Sequence, residues 1–542
     1  MRTPPGVSAA DFAAAIKEFQ AAIGADYVFT DEATVDLYKD AYSPMWAEAD
    51  ERVASAALAP DRVEQVQAIV KIANTYKIPL YAISTGRNLA YGGSAPAYSG
   101  SVVLDLKRMN RILEVNEENA YCLVEPGVSY FDLYRFLQER GGKYWIDCPD
   151  PGWGSVIGNA LDHGAGYTAG IHRNHFDSHC GMEVVLPTGE LLRTGMGALP
   201  GAKSWQQHKL GIGPLLDGLF SQSNYGVVTK MGMWLFPAPE VYFRGIVAVP
   251  HRADLDPLIR IANELENGMV VNGQLQFTSP LQRDVGKPGL QAVLDRPGGW
   301  LDAELDKYAI DNGLPSWECT LAFHGPKEVV QAQWAYAKRR FAEIPGAQFR
   351  DDGLISFPLS PERLAELDEK QTLANRNVEF GIPSLSIFFI GARSPGNDHP
   401  TDGHVWFSPI IPRTAEGLMQ SQKVFYEAGK RLGLPIGPFP GPMTCWQRTF
   451  VYIMGFPIYK DPEVNKKMRA SFREVVKVAA EHGWGEYRTH PAFFEDVVGA
   501  YSFNDHALSR FHATLKDAID PNGIMSAGRY AIWPKHLRSA RA

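Results

Sequence analysis

Two stretches of the chain carry the side chains best suited to chemistry. One holds Tyr91. The other reads Gly485-Glu486-Tyr487-Arg488-Thr489-His490. Two phenol hydroxyls and a guanidinium brought to one point would stabilise an oxyanion such as a bound phenolate. Arginine is always protonated, so its charge lowers the pKa of a bound phenol, and hydrogen bonds to the charged form add to that. Spacing alone favours a plainer reading, a surface arginine and two half-buried tyrosines. Two loops of small residues come next, Ser84-Thr85-Gly86-Arg87-Asn88 and Gly152-Trp-Gly-Ser155-Val-Ile-Gly158-Asn159. Glycine lets backbone amides close on a pyrophosphate, and Ser or Asn adds neutral donors. Either loop alone reads as an ordinary turn; the pair, in matching context, is informative.

Asp150, ahead of a Pro-Gly turn, reads by itself as a turn former, and His404 in Gly403-His-Val-Trp-Phe407 as a packed strand residue. His163, His175 and His179 cluster in sequence, but their i, i+4 pair lacks the acidic partner of a known motif, so no metal site is expected. The sequence holds no G-x-G-x-x-G, P-loop or H-E-x-x-H. That argues against a Rossmann dinucleotide domain, phosphoryl transfer and a zincin.

The elements that must position these residues are readable in outline. Ala9 to Ile23 is apolar at helical spacing behind a Ser8 cap, and Arg62 to Asn74 repeats the pattern with Val63, Val66, Ile69, Val70 and Ile72. Strands are expected at 78–84, 101–106, 120–125 and 181–186, and a helix at 507–519. Pro237 and Pro239 break the chain, and Pro435 to Pro442 reads as an irregular loop. The layout is a cofactor domain beginning at 1–242, a cap or substrate domain at 243–483, and a C-terminal segment, 484–542, that completes the cofactor side.

Composition narrows the function classes. The 542 residues are 45% hydrophobic and 21% charged, as in a globular protein of two or three domains. A net charge of −8 offers no basic face for nucleic acid or an anionic membrane. No apolar run is long enough to span a bilayer, and the polar, Pro-containing N-terminus is not a signal peptide. Five scattered cysteines without a C-x-x-C pair fit a reducing compartment. The expected location is cytoplasmic.

Beyond these features the chain resembles the 4-phenol-oxidising branch of the vanillyl-alcohol oxidase family, which includes eugenol oxidase and the flavoprotein subunit of p-cresol methylhydroxylase (PCMH). The resemblance rests on STGRNLAYGGSAP (84–96), VEPGVSYFDLY (124–134), GWGSVIGNALDHGAGYT (152–168), MEVVLPTGELLRTGMGALPG (182–201), DGLFSQSNYGVVTKMG (217–232), GHVWFSP (403–409), GWGEYRTH (483–490) and DPNGIMSAGRYAIW (520–533). It implies an α+β flavoprotein, a PCMH-type FAD-binding domain with an inserted α+β cap. It sets the pyrophosphate and ribityl of FAD against Ser84, Thr85, Gly86, Arg87, Asn88, Pro149, Ser155, Gly158, Asn159 and Arg529, with the adenine end near Gly226 and Val227. His404 matches the histidine bonded to the flavin 8α-methyl. Tyr91, Tyr487 and Arg488 match the phenolate-binding triad, Asp150 the carboxylate beside flavin N5, and Tyr167 and Trp406 line the substrate pocket.

The function so implied is oxidation of 4-alkylphenols, 4-hydroxybenzyl alcohols and allylphenols. Hydride passes from the benzylic carbon to FAD N5 through a para-quinone methide, and O2 takes the electrons as H2O2. Asp150 would serve as base for the water that adds to the methide. A homodimer or higher homo-oligomer is expected. The alternatives are a cytochrome-coupled 4-alkylphenol dehydrogenase of the same family, a hydroxy-acid or sugar oxidase, and an inactive flavin-binding protein. Cytochrome-coupled relatives attach their flavin to tyrosine, so His404 favours the oxidase. Two segments depart from the family pattern: Gly166 to His175 is longer and brings a new Arg and His, and Met443-Thr-Cys-Trp-Gln-Arg448 replaces the usual R-E-M-H-H. Together with Trp406 they point to small para-alkylphenols rather than methoxylated propenyl phenols.

Overall fold

The computed structural model describes residues 2–168, 170–360, 362, 378–388, 403–441, 443–446 and 448–538. Ala169, Pro442, Gln447 and the end of the C-terminal basic run therefore lie outside the described residues.

The first layer forms as the apolar spacing dictates. Helix Ala9–Ile23 starts where the Ser8 hydroxyl accepts from the Asp11 N–H at 3.0 Å, and it buries Phe12, Ile16, Phe19 and Ile23 on one side. Helix Val63–Tyr76 buries Val66, Ile69, Val70 and Ala73. Both faces close on a four-stranded sheet ordered Val28–Phe29, Ala57–Leu58, Val102–Asp105, Leu80–Ile83, whose last three strands are parallel. Val102–Asp105 is buried at every residue, as a strand covered on both faces must be. A second sheet is antiparallel and ordered Ile112–Asn116, Tyr121–Val124, Val227–Trp234, His179–Val185, Leu191–Arg193. Val185 and Val227 from it join Leu80, Val102 and Leu104 in one core, which ties the two sheets together.

The cap is a seven-stranded antiparallel sheet, ordered Gln348–Ser356, Val241–Val249, Trp317–Gly325, Leu275–Thr278, Met443–Trp446, Thr449–Val451, Ile410–Pro412. Its core holds Phe277, Trp317, Phe341, Phe425 and Phe472 from the sheet and from helices Lys327–Phe341, Ala415–Leu432 and Pro462–Glu481. A two-stranded ribbon, Gly403–Phe407 with Met454–Ile458, pairs His404 with Pro457 and Trp406 with Gly455. Val405 and Phe407 enter the cap core, so the period-2 alternation turns His404 and Trp406 to the opposite face.

The domain limits read from the sequence need one correction. Trp484, Phe493 and Val497 belong to the cap core, and Phe493 stacks on Phe472 with ring centroids 3.8 Å apart. The segment after 483 therefore begins as cap and reaches the cofactor side later. There Leu80 N–H donates to Ile524 O at 2.7 Å and Ser526 N–H to Leu80 O at 2.8 Å. Residues 378–388 cross the other way: Gly152 N–H donates to Ser384 O, and the Thr168 hydroxyl to Val378 O. The last long helix, Phe503–Ile519, opens with Asn504, Asp505 and His506 at φ 49°, 53° and 55°, so its regular part starts at Ala507, as expected. Among the described residues no helix is long and apolar enough to cross a membrane.

Candidate functional site

A groove with a cavity volume of about 160 Å³, open at its mouth, runs between the two sheets of the first domain. Residues 84–88 and Ser155, Gly158 and Asn159 all line it, so the two small-residue loops do converge. Pro149, Gly226, Val227, Arg529 and Tyr91 complete the predicted residues among its walls. Ser155 caps helix Val156–Leu161, accepting from Gly158 N–H at 2.9 Å and donating to Pro126 O at 2.6 Å. A Cβ at Gly158 would stand 2.3 Å from Ser84 Oγ, and one at Gly86, where φ is +64°, 2.1 Å from Ser94 Oγ. Only glycine lets these loops approach so closely, which leaves backbone amides rather than side chains to face a ligand. The groove fits an extended nucleotide cofactor.

Beneath it, two networks fix the wall residues. The Arg529 guanidinium meets Asp162 Oδ1 at 2.9 Å and the Tyr81 hydroxyl at 3.3 Å, while the Tyr530 hydroxyl donates to the same carboxylate at 2.7 Å. Asn159 donates to the Tyr130 hydroxyl at 3.1 Å; Tyr130 and His175 Nδ1 are 2.9 Å apart; and His175 Nε2 lies 2.9 Å from Asp147 Oδ2. With Nδ1 accepting, the ring proton sits on Nε2 and points at Asp147. Asp147 Oδ1 in turn accepts from Thr168 N–H at 2.6 Å. The three clustered histidines thus go to separate places: His175 to Asp147, His163 to the Ser221 hydroxyl at 3.1 Å, and His179 to Asp217 at 3.2 Å.

Tyr91, Tyr487 and Arg488, almost 400 residues apart in sequence, are brought together. The Arg488 guanidinium carbon lies 4.0 Å from the Tyr91 ring centroid and 5.5 Å from that of Tyr487. Burial pushes both tyrosine pKa values up, against the pull of the arginine, so both hydroxyls stay protonated donors. Among the described residues no carboxylate pairs with Arg488, and its buried Nε has no partner. The result is a cation packed against two phenol-bearing rings.

Neighbours hold this clamp in place. Gln222, at φ 43° on the groove wall, donates through Nε2 to Tyr487 O at 2.9 Å. Trp446 meets the Tyr487 ring edge-on, centroids 4.8 Å apart at 84°. Glu486 faces away and is buried, with Oε2 accepting from Ser408 N–H at 2.5 Å and Oε1 unpartnered; burial drives its pKa well above the ordinary carboxyl value.

His404 is buried between Tyr42, ring centroids 5.4 Å away, and Trp406, 4.4 Å away. Its strand packs on the 89–91 turn that carries Tyr91. Among the described residues neither ring nitrogen has a hydrogen-bond partner, and desolvation lowers its pKa to about 4. A neutral, unpartnered imidazole nitrogen suits a covalent bond to a cofactor ring. Trp406 lies over Gly455, so it shields His404. Asp150 stands half-buried between Pro149 and Pro151, both groove residues. Tyr167 is half-buried, its N–H donating to Cys148 O at 3.0 Å. Sequence reasoning missed Asp147, Gln222, Trp446 and Tyr42 as site residues. Only Asp147, three positions before Asp150, carried any local signal.

Comparison with known proteins gives the family and the fold. Residues 54–195 match the family described as FAD binding domain, and 453–530 the family described as FAD linked oxidases, C-terminal domain. The chain is similar to the 4-cresol dehydrogenase [hydroxylating] flavoprotein subunit of Pseudomonas putida, 31% identical over 98% of this chain and 97% of that one. It is similar to 1'-carboxy-chondrochloren decarboxylase of Chondromyces crocatus, 29% identical over 96% and 98%. Among solved structures it resembles 4-ethylphenol oxidase from Gulosibacter chungangensis, 35% identical with a TM-score of 0.79, covering 99% of this chain and 100% of that one.

Proposed function

We propose a function on one premise: the chain belongs to the vanillyl-alcohol oxidase family of FAD-dependent oxidoreductases. The reading is oxidation of para-substituted phenols, namely 4-alkylphenols, 4-hydroxybenzyl alcohols and allylphenols, with O2 as acceptor and H2O2 as product. One observation carries it. A half-buried guanidinium whose buried Nε has no partner among the described residues lies against two protonated tyrosines. That arrangement has use for a phenolate and little for an aliphatic hydroxyl, which stays protonated near neutral pH.

In this reading Tyr91 and Tyr487 donate to the substrate oxygen and Arg488 supplies the charge. Moving a phenol pKa from about 10 to below 7 takes about 4 kcal/mol. Hydrogen bonds to a charged group are each worth about 1.5–3 kcal/mol, so the clamp can supply it. Ionisation makes the ring electron-rich and labilises the benzylic C–H as hydride. FAD, when bound, supplies the two-electron acceptor. The residues for it are Ser84 to Asn88, Pro149, Ser155, Gly158, Asn159 and Arg529, with Gly226 and Val227 at the adenine end and His404 as the 8α tether. Asp150 is placed as base for water addition, and Tyr167 and Trp406 belong to the pocket.

His404 as tether supports O2 over a cytochrome as acceptor. Five buried free thiols support a cytoplasmic location. The exposed Phe503, Leu508 and Phe511 offer a surface for a homodimer. The test is spectroscopic. Under argon, 4-ethylphenol should bleach the flavin of the purified holoprotein, and air should restore it. Bleaching without recovery would instead favour the cytochrome-coupled reading, and no bleaching sinks the phenol reading. Denatured mass one FAD above the polypeptide, absent in His404→Ala, is the expected sign of the tether.

A further inference from the structure

The two segments that depart from the family pattern touch each other. Arg173, from the first, is 2% exposed and reaches out of the cofactor-side loop into the cap. Its Nη2 donates to Gly273 O at 3.0 Å and its Nη1 to Cys445 O at 2.5 Å, with the Glu266 carboxylate 3.9 Å away. The sheet register explains why those carbonyls are free to accept. Among the described residues strand Leu275–Thr278 pairs with Met443–Trp446 at Gln276↔Thr444 and Phe277↔Met443. Continued, the ladder would next oppose Leu275 and Cys445. It opens there instead, and the Arg173 guanidinium takes one carbonyl from each side of the opening. A guanidinium presents donors in a rigid planar fork, so it fixes the spacing of what it bridges.

The residue after Cys445 is Trp446. Met443 and Cys445 enter the cap core, so alternation turns Trp446 to the other face, edge-on against Tyr487. Trp446 is half-buried and keeps part of its ring accessible. With the Tyr487 hydroxyl addressing the substrate oxygen, an indole packed on the Tyr487 ring is within reach of a group attached beside that oxygen.

Resting on the proposed phenol reading, we propose that Trp446 is the wall that rejects a substituent ortho to the phenolic hydroxyl, and that Arg173 is the positioning residue that holds the wall in place. An ortho methoxy group must displace the indole, whereas an unsubstituted 4-alkylphenol need not. Excluding one group of that size from an apolar pocket is worth about 10–200-fold in kcat/KM.

The experiment compares 4-ethylphenol with 2-methoxy-4-ethylphenol as reductants of the holoprotein, taking the ratio of their kcat/KM values in one preparation. That ratio is insensitive to the fraction folded. The unaltered protein should prefer 4-ethylphenol by tenfold or more, Trp446→Leu should cut the preference about tenfold, and Arg173→Lys should cut it a few-fold in the same direction. A Trp446→Leu ratio within about twofold of the unaltered one overturns the wall. A wall effect with no change in Arg173→Lys or Arg173→Met overturns the positioning role. Should the buried Arg173 variants fail to fold, the half-buried Trp446 position still decides the main claim. If neither phenol reduces the unaltered protein, the phenol reading itself has failed and takes this inference with it.

Discussion

The polar groups beneath the groove and those at the cap face of the site are built on opposite plans. Beneath the groove, Tyr130, Asp147, Asn159, Asp162, His175, Arg529 and Tyr530 are cross-linked through hydrogen bonds. At the cap face, both nitrogens of His404 and Nε of Arg488 are buried with no partner among the described residues. An unpaired buried polar atom costs about 1–3 kcal/mol, so a folded chain keeps several together only where something else completes them. The floor is finished by the polypeptide alone. Among the described residues the cap face is not.

The contrast can be broken first at the clamp. Arg488→Ala should slow flavin reduction by 4-ethylphenol by about 10³-fold or more, near 4 kcal/mol of barrier, with little change in Tm. Stopped-flow reduction and a melting curve on the same sample check both halves. In the floor the order reverses. Asp147→Ala leaves His175 Nε2 without its acceptor and should cost about 3 kcal/mol of stability in urea unfolding, with a smaller effect on reduction.

His324 gives a pH-dependent test on the cap side. It is 2% exposed, both ring nitrogens lack partners among the described residues, and burial lowers its pKa to about 4. The unfolded ring takes up its proton below about pH 6.5 and the folded one only near 4. Its contribution to stability is therefore whole above 6.5 and lost as pH falls towards 4, up to about 3 kcal/mol. His324→Phe should flatten that acid limb when urea midpoints at pH 7 and pH 4.5 are compared. The smallest expected effect belongs to Gln222→Ala, which removes the hydrogen bond to Tyr487 O: about fivefold in reduction rate, near 1 kcal/mol, with the cofactor retained.

Local features of the fold were readable and long-range ones were not. Ser8 and the spacing of Phe12, Ile16 and Phe19 define the first helix because caps and amphipathic stripes are local. The 84–88 and 155–159 loops were readable because glycine and small polar residues announce close backbone approach. The boundary at 484 failed because Trp484 and Phe493 look the same whichever core they fill, and only Phe472 on another helix decides. Asp147 and His175 are 28 residues apart, with nothing in either segment to name the other. Arg173 was visible as a departure, but its target, a carbonyl 272 residues away, was not. Cap residues hide best because their partners come from an insertion whose register the sequence does not state.

The central claim, that the clamp holds its ligand as an anion, has a direct measurement. A phenol without a benzylic hydrogen, such as 4-tert-butylphenol, can bind without being oxidised, and its ultraviolet difference spectrum at pH 7 reports its ionisation. Free in solution about 0.1% of it is phenolate. Bound to the holoprotein it should show the phenolate band at near-full intensity, and in Arg488→Ala it should not. A ligand that binds the unaltered protein and stays neutral would contradict the account.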